Sequence, residues 1–163
     1  MLTRAIILAL MFCGTAQAGE TVAFFGITFL DSSLQTAELG QDPDEIARIA
    51  MLEEMVRDRF TEEGYELLDL APVAEDLDRI VNPAKCYGCD TRMATDLGAD
   101  FSLVGEVQKV SNLILAMNLQ LRDAATGDLV RGGVVDIRSN TDESWQRGMR
   151  YILKNRIFRE EEK

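Results

Sequence analysis

The feature that most constrains the fold is an apolar, β-rich run near the N-terminus. Residues 21–30, TVAFFGITFL, are dominated by β-branched and aromatic side chains and include no charged residue. A strand that is apolar on both faces needs a covering layer on each face. We therefore predict that this run forms the central strand of a sheet that is packed on both sides.

A helix is predicted to follow this strand. Asp42 is a favourable N-cap, Pro43 is favoured at the first helical position, and Glu45 occupies the third position of a capping box. Five apolar residues recur at helical spacing before Gly64 ends the pattern: Ile46, Ile49, Leu52, Val56 and Phe60. Asp44 and Glu45 favour the positive end of the helix dipole, which explains this acidic cluster better than a metal site does.

The next part of the chain predicts a βαβ unit and a second helical region. Residues 31–41 are polar and small and predict a loop, whereas residues 65–70 predict a second strand, connected by a right-handed crossover. One or two helical turns are predicted within residues 72–81 and a helix over residues 90–97. Residues 101–110 predict a third strand.

The last part of the chain predicts an antiparallel meander and a closing helix. Apolar and polar residues alternate along residues 113–123, as in a strand with one solvated face, and residues 129–138 predict its neighbour. A last helix is predicted to start near Thr141. The predicted fold class is α/β (α+β), a single mixed sheet with the order β-α-β-α-β-β-β-α, in one domain over residues 19–163.

The N-terminal residues predict export. Arg4 precedes a short apolar run, and Ala16-Gln17-Ala18 gives the small-x-small pattern of a cleavage site. We expect a signal peptide over residues 1–18 and a soluble, periplasmic mature protein. The apolar run is too short to span a bilayer, so we expect no membrane insertion.

Composition argues against several classes of function. The chain has 17 basic and 28 acidic side chains, a formal net charge of −11, which repels nucleic acid and anionic lipid. It contains no histidine, so it lacks the usual general base, the Ser-His-Asp triad and imidazole ligands for zinc. It also lacks a glycine-rich phosphate-binding motif and a calcium loop. We expect no enzymatic activity, no cofactor, no metal and no nucleic-acid partner.

Cys86 and Cys89 form a C-x-x-C element, and an oxidising compartment favours a disulfide between them. Two interpretations stay open. The pair is either a local clasp before a helix or a redox-active pair whose first thiol is acidified by that helix. A metal site would need ligands beyond these two thiolates. Thioredoxin-like sites place a proline after the pair, but all three prolines here precede it, which favours the clasp.

A second set of candidate residues lies at the predicted hairpin. Lys109, Ser111 and Asn112 could contact a protein partner. Turn chemistry explains Ser and Asn at this place without a partner, and it is the stronger explanation.

The predicted order of elements, with TVAFFGITFL and LGADFSLVGEV (residues 97–107), resembles the TolB N-terminal and CsgG-like periplasmic domains. The C-x-x-C element and KVSNLIL (residues 109–115) are similar to an uncharacterised family of exported proteins of Gram-negative bacteria. The resemblance implies a docking or assembly module of the envelope. It also implies a link to periplasmic quinoprotein alcohol oxidation, beside which some relatives occur. The expected lack of a lipid anchor and of membrane-inserting hairpins argues against a CsgG-like pore.

Two functional hypotheses follow from the sequence. The first is a non-enzymatic periplasmic accessory protein that docks on an envelope protein through a sheet edge or the solvated face of residues 113–123. The alternative is a thiol-disulfide carrier or maturation factor that acts through Cys86 and Cys89. A small-molecule pocket at the carboxyl ends of the parallel strands is a third expectation, without named residues.

Overall fold

A computed structural model describes residues 19–159 of the chain, so the predicted signal peptide lies outside the described residues. The described residues form one five-stranded sheet with the order β2-β1-β3-β4-β5. The strands are β1 (Thr21–Asp31), β2 (Glu66–Leu67), β3 (Phe101–Ser111), β4 (Ile114–Asp123) and β5 (Leu129–Ile137). β1 pairs in parallel with β2 and β3, and β3, β4 and β5 form an antiparallel meander. The predicted mixed α/β fold is confirmed, with β3 rather than β1 in the central position.

Five α-helices surround the sheet: α1 (Leu34–Leu39), α2 (Pro43–Glu62), α3 (Ala74–Leu77), α4 (Cys89–Asp96) and α5 (Asp142–Ile152). Short 3-10 turns span Ala71–Val73 and Pro83–Lys85, and a π turn, Leu153–Ile157, extends α5. The Asp42 carboxylate accepts a hydrogen bond from the Asp44 N–H, as the predicted cap requires. Thr141 caps α5 in the same way by accepting from the Ser144 N–H.

Two hydrophobic cores lie on opposite faces of the sheet. On the front face, α2 and α5 cover the strands and bury Leu52, Phe60 and Trp145 completely. On the back face, α4 packs on β1 and β3, where Phe25 and Met93 belong to a smaller core. β1 is thus covered on both faces, which explains why its sequence is apolar throughout.

Two elements differ from the prediction. Residues 31–41 were expected to form a loop, but α1 forms there because Ser33 accepts from the Thr36 N–H and Asp31 accepts from the Ser33 N–H. These local hydrogen bonds stabilise the first turn of α1, although its sequence has no apolar periodicity and none of its residues is buried. The second strand is shorter than predicted, since only Glu66–Leu67 pairs with β1.

Candidate functional site

The C-x-x-C element lies between the Pro83–Lys85 turn and α4, on the back face of the sheet. A disulfide joins Cys86 to Cys89, as expected. The loop reverses direction through Tyr87 and Gly88, which have φ values of 58° and 89°. Tyr87 is the one non-glycine residue with positive φ among residues 19–159, and its side chain is fully exposed. The disulfide therefore closes a tight loop that displays an aromatic ring.

The surroundings of the disulfide act on the Cys86 sulfur in opposite directions. The Cys89 N–H, at the start of α4, donates to Cys86 Sγ at 3.1 Å, which would stabilise a thiolate in the reduced form. Asp90 Oδ1 lies 3.9 Å from the same sulfur, and a carboxylate at that distance would disfavour a thiolate. The geometry permits a disulfide with a local structural role and does not by itself favour redox turnover.

Two buried carboxylates lie beneath this loop. Asp90 accepts a hydrogen bond from Ser102 Oγ at 2.8 Å, and its Oδ2 lies 4.0 Å from the Arg122 Nε. Glu106 pairs with Lys85 Nζ at 2.9 Å and accepts from Asn82 Nδ2 at 2.6 Å. Both acids are less than 5% exposed, whereas Lys85 and Arg122 reach the surface. The back face therefore holds two cations through buried acids.

The structure separates the three predicted hairpin residues. Ser111 and Asn112 lie near the surface at the β3–β4 turn, where Ser111 Oγ accepts from the Leu113 N–H. Lys109 instead points into the front core and is only 3% exposed. Any partner contact at this turn is therefore available to Ser111 and Asn112, and that contact stays a prediction.

Lys109 belongs to a buried ionic cluster, which we call the Lys109 cluster: Lys109, Asp31, Glu45 and Asn140. Lys109 Nζ lies 3.1 Å from Asp31 Oδ2 and 2.6 Å from Glu45 Oε1. Glu45 is completely buried, and its Oε1 also accepts from Asn140 Nδ2 at 2.5 Å. Asn140 Oδ1 in turn accepts from Trp145 Nε1 at 3.0 Å. The cluster ties β1, β3, α2 and the start of α5 together.

Burial and hydrogen bonding compete in this cluster. Burial alone would raise the pKa of Asp31, but hydrogen bonds from Ser33, Thr36 and Lys109 outweigh it and lower the pKa to about 2. Burial would lower the pKa of Lys109, but its hydrogen bonds to Glu45 and Asp31 outweigh it and raise the pKa. The cluster therefore stays ionised at neutral pH, with Asp31 as an anion and Lys109 as a cation.

Glu45 was expected to act on the helix dipole, and Asp31 was not expected to take part in a site. The period-2 pattern of β3 contains the missing information, because Lys109 alternates in phase with Leu103 and Val107, which are fully buried. A lysine on the apolar face of a strand requires a buried acid nearby. Glu45 satisfies this requirement, since it precedes Ile49 and Leu52 at helical spacing on the buried side of α2.

A further candidate site is the part of the sheet that no helix of the described residues covers, which we call the β4–β5 surface. It comprises the back face of these two strands and the outer edge of β5. β4 buries Leu115, Met117, Leu119 and Leu121 on the front face and leaves the alternate residues half-buried. On β5, Val134 lies opposite Asn118 and is 64% exposed. β5 ends the strand order, and its nine residues make it the longer of the two edge strands.

Metal-binding clusters and membrane-spanning helices are both absent from the described residues. Within residues 19–159, no group of three or more His, Cys, Asp or Glu side chains is arranged to hold a metal ion. No helix in this part of the chain combines the length and apolar character that crossing a bilayer requires.

Similar folds occur in solved structures of bacterial proteins. Lipoprotein GNA1162 from Neisseria meningitidis has a TM-score of 0.50 and 15% identity, and the match covers 75% of this chain and 82% of that one. The LpoB C-terminal domain from Salmonella enterica has a TM-score of 0.49 and 16% identity, covering 77% and 87%. A PelC dodecamer from Paraburkholderia phytofirmans has a TM-score of 0.46 and 13% identity, covering 83% and 87%. The likeness to the Neisseria protein shows a shared fold.

Sequence comparison gives the family. No curated protein sequence matches the chain. A family model with the description "Protein of unknown function (DUF2380)" matches residues 20–157, which includes nearly all of the described structure. The chain therefore belongs to this family, DUF3280.

Proposed function

We propose that this protein is a non-enzymatic accessory of the bacterial periplasm that binds an envelope protein through the β4–β5 surface. The observation that carries the proposal is the outer edge of β5. It is nine residues long, it ends the sheet among the described residues, and it carries the exposed apolar residues Leu129, Val130 and Val134. An edge strand of this length, paired on one side by β4, can accept an extended segment of another protein on its other side.

A groove beside this edge supports the same mode of binding. It has a volume of about 400 Å³ and lies between β5 and α5, where Val135, Ile137 and Tyr151 contribute apolar surface. Arg138 and Arg147 also line it. A strand added to β5 would place alternate side chains in this groove, and we expect an acidic residue among them.

The periplasmic location rests on the predicted signal peptide over residues 1–18 and stays part of the proposal. The likeness to TolB N-terminal and CsgG-like domains, proposed from the landmarks in residues 21–30 and 97–107, points to the same envelope role. The link to quinoprotein alcohol oxidation is a proposal about the pathway and rests on that resemblance alone.

Site-specific photocrosslinking tests the docking surface. A photoreactive phenylalanine analogue at Val134, in the full chain expressed in the native bacterium, should give one discrete adduct with an envelope protein. The same analogue at Glu54, which is exposed on α2, is the matched control and should give none. If this protein binds its partner through another surface, position 134 should give no adduct, or positions 134 and 54 should give equal amounts of adduct.

The alternative function is thiol-disulfide exchange through Cys86 and Cys89. The hydrogen bond from the Cys89 N–H to Cys86 Sγ supports this function because it would stabilise the attacking thiolate, whereas Asp90 Oδ1, 3.9 Å from the same sulfur, opposes it. The reduction potential of the pair separates the two functions. A structural disulfide should have a potential below about −300 mV, whereas a catalytic one lies between about −270 and −120 mV.

A further inference from the structure

A cavity of about 490 Å³ lies between the C-x-x-C loop and the β4–β5 turn. Lys85, Tyr87, Gly88 and Asp90 line it on the loop side, and Arg122 and Gly127 line it on the strand side. The Asp90 carboxylate is buried and lies 4.0 Å from Arg122 Nε. It is separate from the groove at the outer edge of β5, which is built from β5 and α5. Two cations and an aromatic ring around one cavity suit an anionic ligand.

The two cations are positioned by the protein and retain donors for a ligand. Lys85 Nζ contacts Glu106 at 2.9 Å and is still 57% exposed, so one of its three donors is used in that contact. Arg122 donates to the Gly127 carbonyl and to Gln120 Oε1, and its Nε lies 4.0 Å from Asp90. Since a guanidinium has five N–H donors, Arg122 has two more than these contacts use.

The energetics of these pairs point to positioning rather than stability. An ion pair with one partner at the surface contributes little to folding, whereas its buried acid loses hydration. Asp90 and Glu106 are both buried, and each holds one of the two cavity cations. If the back face had only a structural role, apolar residues in place of Asp90 and Glu106 would stabilise it equally well.

Tyr87 supplies the third part of the site. Residue 87 has a left-handed backbone conformation, which glycine would adopt without strain, but the residue there is a tyrosine. Its ring is fully exposed, and the disulfide closes the loop that carries it. The disulfide restrains the backbone of the loop, and a tyrosine side chain has only two χ angles to fix on binding, so Tyr87 can cover a ligand.

We propose that this cavity binds a carboxylate, which Lys85 and Arg122 hold by charge-assisted hydrogen bonds and Tyr87 covers. The carboxylate belongs either to a small free acid or to an Asp or Glu side chain of a peptide. The site shares Arg122 with the back face of β4 but does not include the outer edge of β5, so the two proposals are tested at different residues, Lys85 and Tyr87 here and Val134 there.

Amide chemical shifts of the isotope-labelled full chain test the site with two probes. The probes are glutarate and a blocked Gly-Glu-Gly peptide, each compared with sodium chloride at equal ionic strength. We expect saturable shifts confined to residues 84–91 and 122–127, with affinity in the millimolar range for such small ligands. Saturation by glutarate alone would assign a free acid, and stronger saturation by the peptide would assign a protein side chain.

Three substitutions connect the shifts to the named residues. Lys85→Gln and Tyr87→Gly change exposed side chains, and each should weaken binding about tenfold. Arg122→Gln should abolish saturation, and the dispersion of its amide spectrum reports whether the fold is kept. Lys154→Gln, an exposed lysine on the Leu153–Ile157 turn, is the charge-matched control and should leave the affinity unchanged. Equal shifts from chloride, an absence of saturation, or equal weakening by Lys154→Gln would overturn the proposal.

Discussion

At the scale of single residues, the Lys109 cluster is the feature with the largest energetic consequence. A lysine that is 3% exposed is tolerated in the front core because it pairs with the carboxyl groups of both Asp31 and Glu45. Removing one charge from such a cluster leaves the others buried and uncompensated, which costs more than the intact cluster contributes. One substitution in the cluster therefore weakens the contacts between four elements of the fold.

Lys109→Met tests this claim, since methionine has a similar length and no charge. We expect the free energy of unfolding to fall by about 3–5 kcal/mol, because Asp31 and Glu45 lose their cation. Urea denaturation measures the change. Lys154→Met, at an exposed position, should change it by less than about 0.5 kcal/mol. A loss below about 1 kcal/mol at Lys109 would show that the cluster is hydrated rather than buried.

Asp31 also makes a specific contribution to the pH dependence of stability. Its pKa is lowered from 3.8 to about 2, so its anion stabilises the folded state by about 2 kcal/mol above its unfolded pKa. This contribution is lost as the pH falls from about 4 to about 2. The difference in unfolding free energy between wild type and Asp31→Asn should therefore shrink by about 2 kcal/mol over that interval. A difference that stays constant over the same interval would show that Asp31 has an ordinary pKa.

At the scale of elements, the helices with an N-cap followed by an apolar stripe were predictable, whereas the element without such a stripe and the strand with few ladder pairs were not. The caps at Asp42 and Thr141 place the starts of α2 and α5 correctly. α1 was missed, because backbone N–H groups that donate to the side chains of Asp31 and Ser33 start it without apolar periodicity. β2 was predicted too long, because its apolar residues pack on the sheet beyond the two that pair.

A bulge in β1 is a further element-scale feature that the sequence pattern did not indicate. The register between β1 and β3 shifts between Phe24 and Ile27, and Gly26 adopts a φ of 83° there. Glu53 on α2 accepts the Ile27 N–H at 2.8 Å, and a methyl group at Gly26 would lie 2.7 Å from Glu53 Oε1. The bulge thus ties β1 to α2.

Comparing Gly26→Ala with Gly98→Ala isolates the bulge. Both glycines have a positive φ, 83° and 73°, but no atom lies within 4 Å of a methyl group at Gly98. We expect a loss of about 1 kcal/mol at Gly98 from backbone strain and about 2 kcal/mol at Gly26, where the hydrogen bond from the Ile27 N–H to Glu53 is also displaced. Thermal denaturation measures both. Equal losses at the two sites would mean that Glu53 moves aside without cost.

At the scale of the whole molecule, the sequence determined the fold class better than the site. Period-2 and period-3.6 patterns, with the two-sided apolar run of β1, suffice to predict a mixed sheet between helices. They do not report which polar residues from distant segments meet, and Lys109 with Asp31, or Arg122 with Asp90, are 78 and 32 residues apart in the chain. Those pairings depend on the order of the strands.

In the function that we propose, the protein acts by contact through the β4–β5 surface, and the disulfide holds the geometry of its loop. The most direct test is the yield of the photocrosslinked adduct from position 134 in the Cys86→Ser, Cys89→Ser double variant, measured against the wild type. Removing so short a disulfide loop should lower stability by about 2 kcal/mol. We predict the same partner and a similar yield in the folded double variant. Loss of the adduct in a variant that is still folded would contradict the claim and favour thiol-disulfide exchange.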